Sequence, residues 1–373
     1  MMKYVNKYLL IVVVLCLIGL KNVNYIPENK TNPTQMTRRQ SRQNNENIIE
    51  EYEEALPNEF SHLTDVDKIN GSIGIDKLIG ECINAVKKNG TAVLRFLLLA
   101  LSLSAITALC GALCNDVYAS AARGAAMITL FALVGSLMPI VDEVALSISK
   151  ISDFLLSLLP VFSAISVSQG HVAVASSQAT GMSLTLSFFG GEGANALVAV
   201  IKCLFILAVM SVFTKEGGKL MNTIKNIFSW GLGIITTLLG GIISVQTLIS
   251  RGADNATVTA TKYAISNMLP IAGGAVSGAL STLVSGMSYY ASVVGGGAIA
   301  VVVLCAIAPL VTLFMYKLAL SVVMIFTSFI DSDALEGGVK AISGALDSLI
   351  ALYSVTVVIY TLEIMLFLRQ GMG

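Results

Sequence analysis

The stretch SVVGGGAIAVVVLCAIAPLVTLFMYKLALSVVMIFTSFI (292–330) decides the fold class, because its 39 residues contain a single charge, Lys317. A helix needs about 20 mainly apolar residues to cross the roughly 30 Å hydrocarbon core of a bilayer. The stretch therefore predicts two membrane spans, 292–308 and 310–330, separated only by Pro309.

Most of the chain shares this composition. Hydrophobic residues make up 55% of the 373 residues and charged residues 12%, against roughly 25% charged in soluble domains. Of the charged residues, 20 lie in 21–88 and 24 in the much longer stretch 91–373. We therefore predict an all-α polytopic transmembrane domain over 91–373, behind a short polar segment. Membrane lipid is the expected surrounding, and the zero net charge gives no reason to expect nucleic acid.

Further apolar runs predict the remaining membrane helices. They cover 91–113, 125–141, 194–213, 227–249 and 345–368. Two regions rich in glycine and serine, 151–190 and 263–284, fit amphipathic, re-entrant or transmembrane helices equally well. The prediction is thus about seven transmembrane helices, plus amphipathic or re-entrant ones.

The N-terminal part divides into two segments. In residues 1–20, two lysines precede a 12-residue apolar run, 9–20, which predicts a signal peptide or a short uncleaved anchor. Residues 21–90 are a polar segment with one amphipathic helix, 75–88, whose apolar side chains share a face. We expect this helix to lie on the membrane or on the bundle, or to belong to a small soluble packing unit.

Charge in the connections predicts the orientation. Three lysines and one glutamate make 214–226 a positive, cytoplasmic loop, while the acidic 331–340 fits the outside. With seven spans, this places the polar segment 21–90 outside the cytoplasm, although Lys87 and Lys88 oppose that orientation.

The sequence offers no catalytic, cofactor or metal site, and we predict that the protein is not an enzyme. Its two histidines form no H-E-x-x-H motif, and 214–222 lacks the early glycine and the hydroxyl residue of a phosphate loop. The six cysteines suit apolar packing better than a disulfide framework or a metal site.

Lys202 and Lys317 lie nearly at the centres of their predicted spans. A charge at that depth must pair, face water or lie at a bend. Each lysine therefore either lines a polar path or forms a structural ion pair inside the bundle. Arg95, Asp347 and Glu363 lie closer to predicted helix ends, where a charged side chain reaches the interface.

Small and hydroxyl residues form one stripe on the predicted helix 227–249, because they recur at spacings of four, three, four and three. They are Gly233, Thr237, Gly240, Ser244 and Thr247. Such stripes let membrane helices approach closely and hydrogen-bond to each other. The stripe predicts a packing surface, and Gln246, which lies off it, needs a partner of its own.

Two stretches share a Leu-Pro core followed by small residues: FLLSLLPVFSAIS (154–166) and AISNMLPIAGGAVS (264–277). Paired interrupted segments occur in transporters built from inverted repeats, whereas chance similarity is the plain alternative. The pair supports an alternative function, a secondary transporter that acts on its own with its site at these helices. A purely structural membrane anchor is a third hypothesis.

The succession NIFSWGLGIITTLLGGIISVQTLIS (226–250), ATKYAISNMLPIAGGAVSGAL (260–280) and APLVTLFMYKLAL (308–320) resembles the stage III sporulation protein AE family of endospore-forming bacteria. The likeness covers roughly residues 75–370 and carries no catalytic signature. Its elements are Trp230 before a glycine-rich span, the triplet 244–246, the pair Thr261-Lys262 and the turn Leu269-Pro270.

This resemblance implies a function. Family members are polytopic membrane proteins of the mother cell that have a signal-like N-terminus. They belong to a set that includes a secretion-type ATPase and ring-forming proteins between two membranes. Together with a forespore partner, the set builds a channel-like apparatus required for endospore formation. The resemblance thus implies a non-enzymatic membrane subunit with these partners, located in the membrane around the forespore, with its N-terminal segment in the intermembrane space.

Overall fold

A computed structural model describes residues 75–113, 119–168, 172–211, 217–241, 273–329 and 333–370. Within these ranges the chain is entirely helical and has no strand. We number the helices in chain order as α1 Ile75–Leu113, α2 Ala119–Ser168, α3 Val172–Gly190, α4 Glu192–Met210, α5 217–241 (its described part), α6 Gly273–Phe329 and α7 Asp333–Gln370. The predicted signal segment 1–20 and most of the polar segment 21–90 lie outside the described residues.

The first four helices form a long antiparallel unit. Thr107 on α1 shares a 2.8 Å hydroxyl hydrogen bond with Thr129 on α2, near the connection between the two helices. Further along α2, Ser152 Oγ donates to the Leu186 carbonyl oxygen of α3 at 2.9 Å. Together α3 and α4 run back along α2, and a bend at Gly191 separates the two helices.

The last two helices pack antiparallel to each other, and residues 330–332 form the connection between them in the sequence. Lys317 on α6 contacts Ser343 on α7, and the two residues lie at similar distances from that connection. In contrast, α7 runs parallel to α2, because Gly338 packs on Leu130 and the hydroxyl of Tyr353 lies 2.8 Å from that of Ser147. These contacts fix the positions of residues on α7 along the bundle axis relative to those on α2.

Five helices of the described chain are long and apolar enough to cross a membrane. They are Leu78–Cys110 in α1, Arg123–Ser168 in α2, Ala175–Met210 across α3 and α4, Val294–Phe329 in α6 and Leu335–Leu366 in α7. The expected count of about seven and the re-entrant helices are therefore not confirmed. Part of the difference lies at 227–249, because only residues up to 241 of that predicted span are described.

Two predicted breaks are absent. The spans 292–308 and 310–330 are parts of one helix, α6, which continues through Pro309. Likewise α2 continues through the charged stretch 142–153 and contains both Pro139 and Pro160. Proline removes one hydrogen bond of its helix, but packing against neighbouring helices in a membrane protein lets the helix continue. At 1.5 Å per residue, the 50 residues of α2 extend about 75 Å.

The amphipathic segment 75–88 is not a separate element, because it forms the first turns of α1. Leu78 packs against the hydrophobic core, while Ile79 and Ile83 are exposed. Most of the predicted loop 214–226 is helical, since α5 includes residues 217–226, while its cytoplasmic location stays a prediction.

Burial follows the pattern of a helical membrane bundle. The core contains large fully buried side chains such as Phe162, Phe205 and Tyr353. Large apolar side chains also face outward, among them Leu98, Ile128 and Leu318. In water such a surface would be unfavourable, whereas it suits the hydrocarbon interior of a bilayer.

Candidate functional site

An ion pair lies inside the bundle between α6 and α7. Lys317 Nζ lies 2.7 Å from Asp347 Oδ1, and the two side chains are 22% and 15% exposed. The same ammonium group donates to Ser343 Oγ at 2.6 Å and to the Ser343 carbonyl oxygen at 3.1 Å. The contact with Asp347 is a close charge pair rather than an aligned hydrogen bond, since Oδ1 accepts none in the described chain.

A second lysine joins this pair from α5. Lys225 is buried, and its Nζ packs against Gly344, where an added Cβ would lie 2.8 Å away. Asp347 attracts Lys225 and Lys317 repels it. The Asp347 carboxylate therefore acts on two cations, one in direct contact, and the three charged groups bring α5, α6 and α7 together at this level. Gly344 allows this arrangement because any side chain there would displace the lysine.

The other central lysine forms an ion pair on the outside of the bundle. Lys202 Nζ on α4 donates to Asp142 Oδ1 on α2 at 2.6 Å. The side chains are 41% and 63% exposed, so the pair lies on the surface and not inside the bundle. Apolar Leu146 and Ile206, each one turn away along its helix, are also exposed.

The two ion pairs lie at nearly the same height. Because Gly338 is level with Leu130 and Tyr353 with Ser147, Asp347 is level with residues 139–141 of α2. Asp142 is therefore only about 2–5 Å away along the bundle axis. Lys202 also lies in the middle of α4, so the two pairs occupy one level of the bundle.

The predicted packing stripe faces outward where it is described. Gly233 and Thr237 are exposed on α5, and a Cβ at Gly233 or Gly240 would meet nothing within 4 Å. Thr237 Oγ1 instead donates to the Gly233 carbonyl oxygen at 2.8 Å. Ser244, Gln246 and Thr247 lie outside the described residues, so the role of the stripe and of Gln246 stays a prediction.

Sequence reasoning missed the partners of the two lysines. It assigned Asp347 to a helix end, but α7 already begins at Asp333, so Asp347 lies within the packed helix. Glu363 was also expected at the interface, yet it is only 5% exposed. The sequence did contain a signal for these partners. A lysine at the centre of an apolar span needs a counter-charge, and an acidic residue in another apolar stretch can supply it.

Long apolar helices, outward apolar side chains and paired charges define the class of this chain as a polytopic helical membrane protein. The family follows from sequence comparison. The chain belongs to the stage III sporulation protein AE family, whose model matches residues 63–371. This match confirms the resemblance inferred from the sequence. No curated protein and no solved structure matches the chain.

Proposed function

We propose that the protein is a non-enzymatic integral membrane subunit of the channel complex between mother cell and forespore, and that the Asp142–Lys202 pair contacts another subunit. Its partners would be the secretion-type ATPase, the ring-forming proteins or other membrane components of that complex. Membership in a sporulation family supports the cellular role, and the outward ion pair supports the role as a subunit.

The outward ion pair carries the proposal. A charged group at the centre of a bilayer is costly, and natural proteins keep such groups against protein or water. Asp142 and Lys202 neutralise each other at 2.6 Å, but both remain substantially exposed. If this level of the bundle lies within the hydrocarbon layer, the pair needs a polar cover, which lipid tails do not supply and a neighbouring subunit does.

A self-sufficient transporter has less support from the same residues. Such a protein needs a polar path through its own bundle, whereas Lys317 is held by Asp347 and Ser343. In the part of the chain that the structure describes, the Asp142–Lys202 pair lies on the surface of the bundle and lines no internal path. A contact between subunits uses both pairs: the inner one fixes the helices and the outer one faces the partner.

We place the protein in the mother-cell membrane around the forespore, with its N-terminal segment in the intermembrane space. The signal-like residues 1–20 support this orientation, and membership in a sporulation family supports the cellular location. It gives the segment 21–90 a position from which it reaches components between the two membranes.

The proposal predicts that breaking the outer pair uncouples the protein from its complex. In sporulating cells, Asp142→Asn or Lys202→Met should reduce the recovery of other channel subunits with the tagged protein about tenfold or more, because an unpaired charge remains at the interface. The measurement is quantitative mass spectrometry after mild crosslinking and affinity purification, normalised to the amount of tagged protein.

Two controls sharpen this experiment. The exchange Asp142→Lys with Lys202→Asp keeps an internal pair but reverses the charges that a partner meets, so it should not restore recovery. Lys340→Met removes an exposed lysine away from the outer pair and should leave recovery unchanged. Normal recovery in both single variants, or full rescue by the exchange, would contradict the proposed contact.

A further inference from the structure

A small cavity lies between α2, α3 and α7, away from both ion pairs. It has a volume of about 20 Å³, which exceeds the roughly 10–15 Å³ needed for one water-sized particle. The polar side chains at its wall are Ser163 and Ser166 from α2, Gln178 from α3 and Glu363 from α7. Apolar residues, including Phe162 and Met182, form the rest of the wall.

Glu363 is the unusual member of this group. It is 5% exposed, and neither carboxylate oxygen has a hydrogen-bond partner among the described residues. Thr185 lies close to this carboxylate, but its hydroxyl donates to the Gly181 carbonyl oxygen at 3.1 Å. Gln178 Oε1 is a second buried oxygen without a partner. Two orphaned polar groups at one cavity are costly unless something in the cavity satisfies them.

Protonation of Glu363 would remove only part of this cost. A neutral carboxyl group could donate its proton to Gln178 Oε1, but its carbonyl oxygen would still lack a donor. A cation in the cavity would remove the cost directly, because it supplies the missing counter-charge to the carboxylate and coordinates the amide oxygen.

We propose that this cavity binds a monovalent alkali cation such as Na⁺, with Glu363 as its charged ligand and Gln178, Ser163 and Ser166 as neutral oxygen ligands. The ligand atoms are all oxygens, which hard cations prefer. A single carboxylate balances a single positive charge. Within the described chain, no three His, Cys, Asp or Glu side chains come together, which disfavours a divalent or transition metal.

The site has a structural consequence. Its ligands come from three helices, so a bound cation joins the far end of the α2–α3 pair to the end of α7. Bound ligand stabilises the folded state in proportion to its free concentration over its dissociation constant. The cation would therefore act as a clamp on this end of the bundle, independently of the outer pair and of the channel complex.

The test uses the purified full-length protein in lipid nanodiscs, with Na⁺ or K⁺ exchanged for choline at constant ionic strength. Once the free concentration of the alkali cation exceeds its dissociation constant, we expect the Tm of the wild type to rise by about 2 °C for each further tenfold increase in that concentration. Glu363→Gln keeps the shape but removes the charge, and it should abolish the rise. Glu192→Gln, which changes an exposed glutamate outside the cavity, should preserve it.

Ser163→Ala is a milder variant that retains the carboxylate, and it should shift the rise to higher cation concentration. It keeps the test decisive where Glu363→Gln lowers the yield of folded protein. An equal Tm of the wild type in choline, Na⁺ and K⁺ would overturn the proposal. An unchanged cation response in both Glu363→Gln and Ser163→Ala would overturn it as well, because the cation would then act elsewhere.

Discussion

Replacing Asp347 with asparagine is expected to lower the free energy of unfolding by about 3 kcal/mol, the lower end of the cost of breaking a buried ion pair, because both side chains keep some exposure. The carboxylate lies 2.7 Å from Lys317 Nζ and also attracts Lys225. Its loss leaves the partly buried Lys317 and the buried Lys225 without this counter-charge, and the two ammonium groups repel each other. The measurement is the midpoint of unfolding of the purified protein in a graded denaturing detergent.

Comparison with single lysine variants makes this prediction specific. Lys317→Met should cost less than Asp347→Asn, because Asp347 keeps Lys225 as a favourable neighbour. Asp142→Asn alters a carboxylate that is 63% exposed and should have the smallest effect on the isolated protein. Equal losses for all three variants would show that Asp347 is not the shared counter-charge of the inner cluster.

The second large effect is expected at Gly190, where α3 packs directly on α2. A Cβ at this position would overlap both Oγ and Cβ of Ser152. Because Ser152 Cβ is attached to the backbone, no change of rotamer relieves the overlap, and the helices must separate. The separation would also break the 2.9 Å hydrogen bond from Ser152 Oγ to Leu186.

Gly190→Val should therefore destabilise the protein by about 3 kcal/mol, at the upper end of the cost of overpacking. The matched control is Gly135→Ala on α2, where an added Cβ meets nothing within 4 Å. Alanine should stabilise that helix by roughly 0.5–1 kcal/mol. Unfolding of the two variants in the same detergent series measures both effects, and an equal stability of Gly190→Val and wild type would contradict the described packing.

The sequence predicts the helical class well, because composition and the length of apolar runs suffice for it. It fails where one helix continues through residues that normally end a span. Pro309 and the charged stretch 142–153 both indicate a break, yet α6 and α2 continue through them. Packing against neighbouring helices decides these cases, and no local pattern encodes it.

The candidate site was predicted only in part. Lys202 and Lys317 stand out because each is the single charge in its apolar run. Their partners Asp142 and Asp347 depend on which helices pack together and at what height, since 60 residues separate Lys202 from Asp142. Glu363 is a similar case, because its burial results from the approach of α2 and α3. These relationships require the three-dimensional structure.

The most direct test of the proposed subunit role is site-specific photo-crosslinking from the outer face in sporulating cells. A photoreactive residue at Leu146, which is 56% exposed and one turn from Asp142, should form an adduct with another protein of the sporulation channel. The same probe at Leu318, an exposed position on α6, should mark mainly lipid. Adducts with lipid alone at Leu146 would contradict the account, because the outer ion pair would then face the bilayer without a partner.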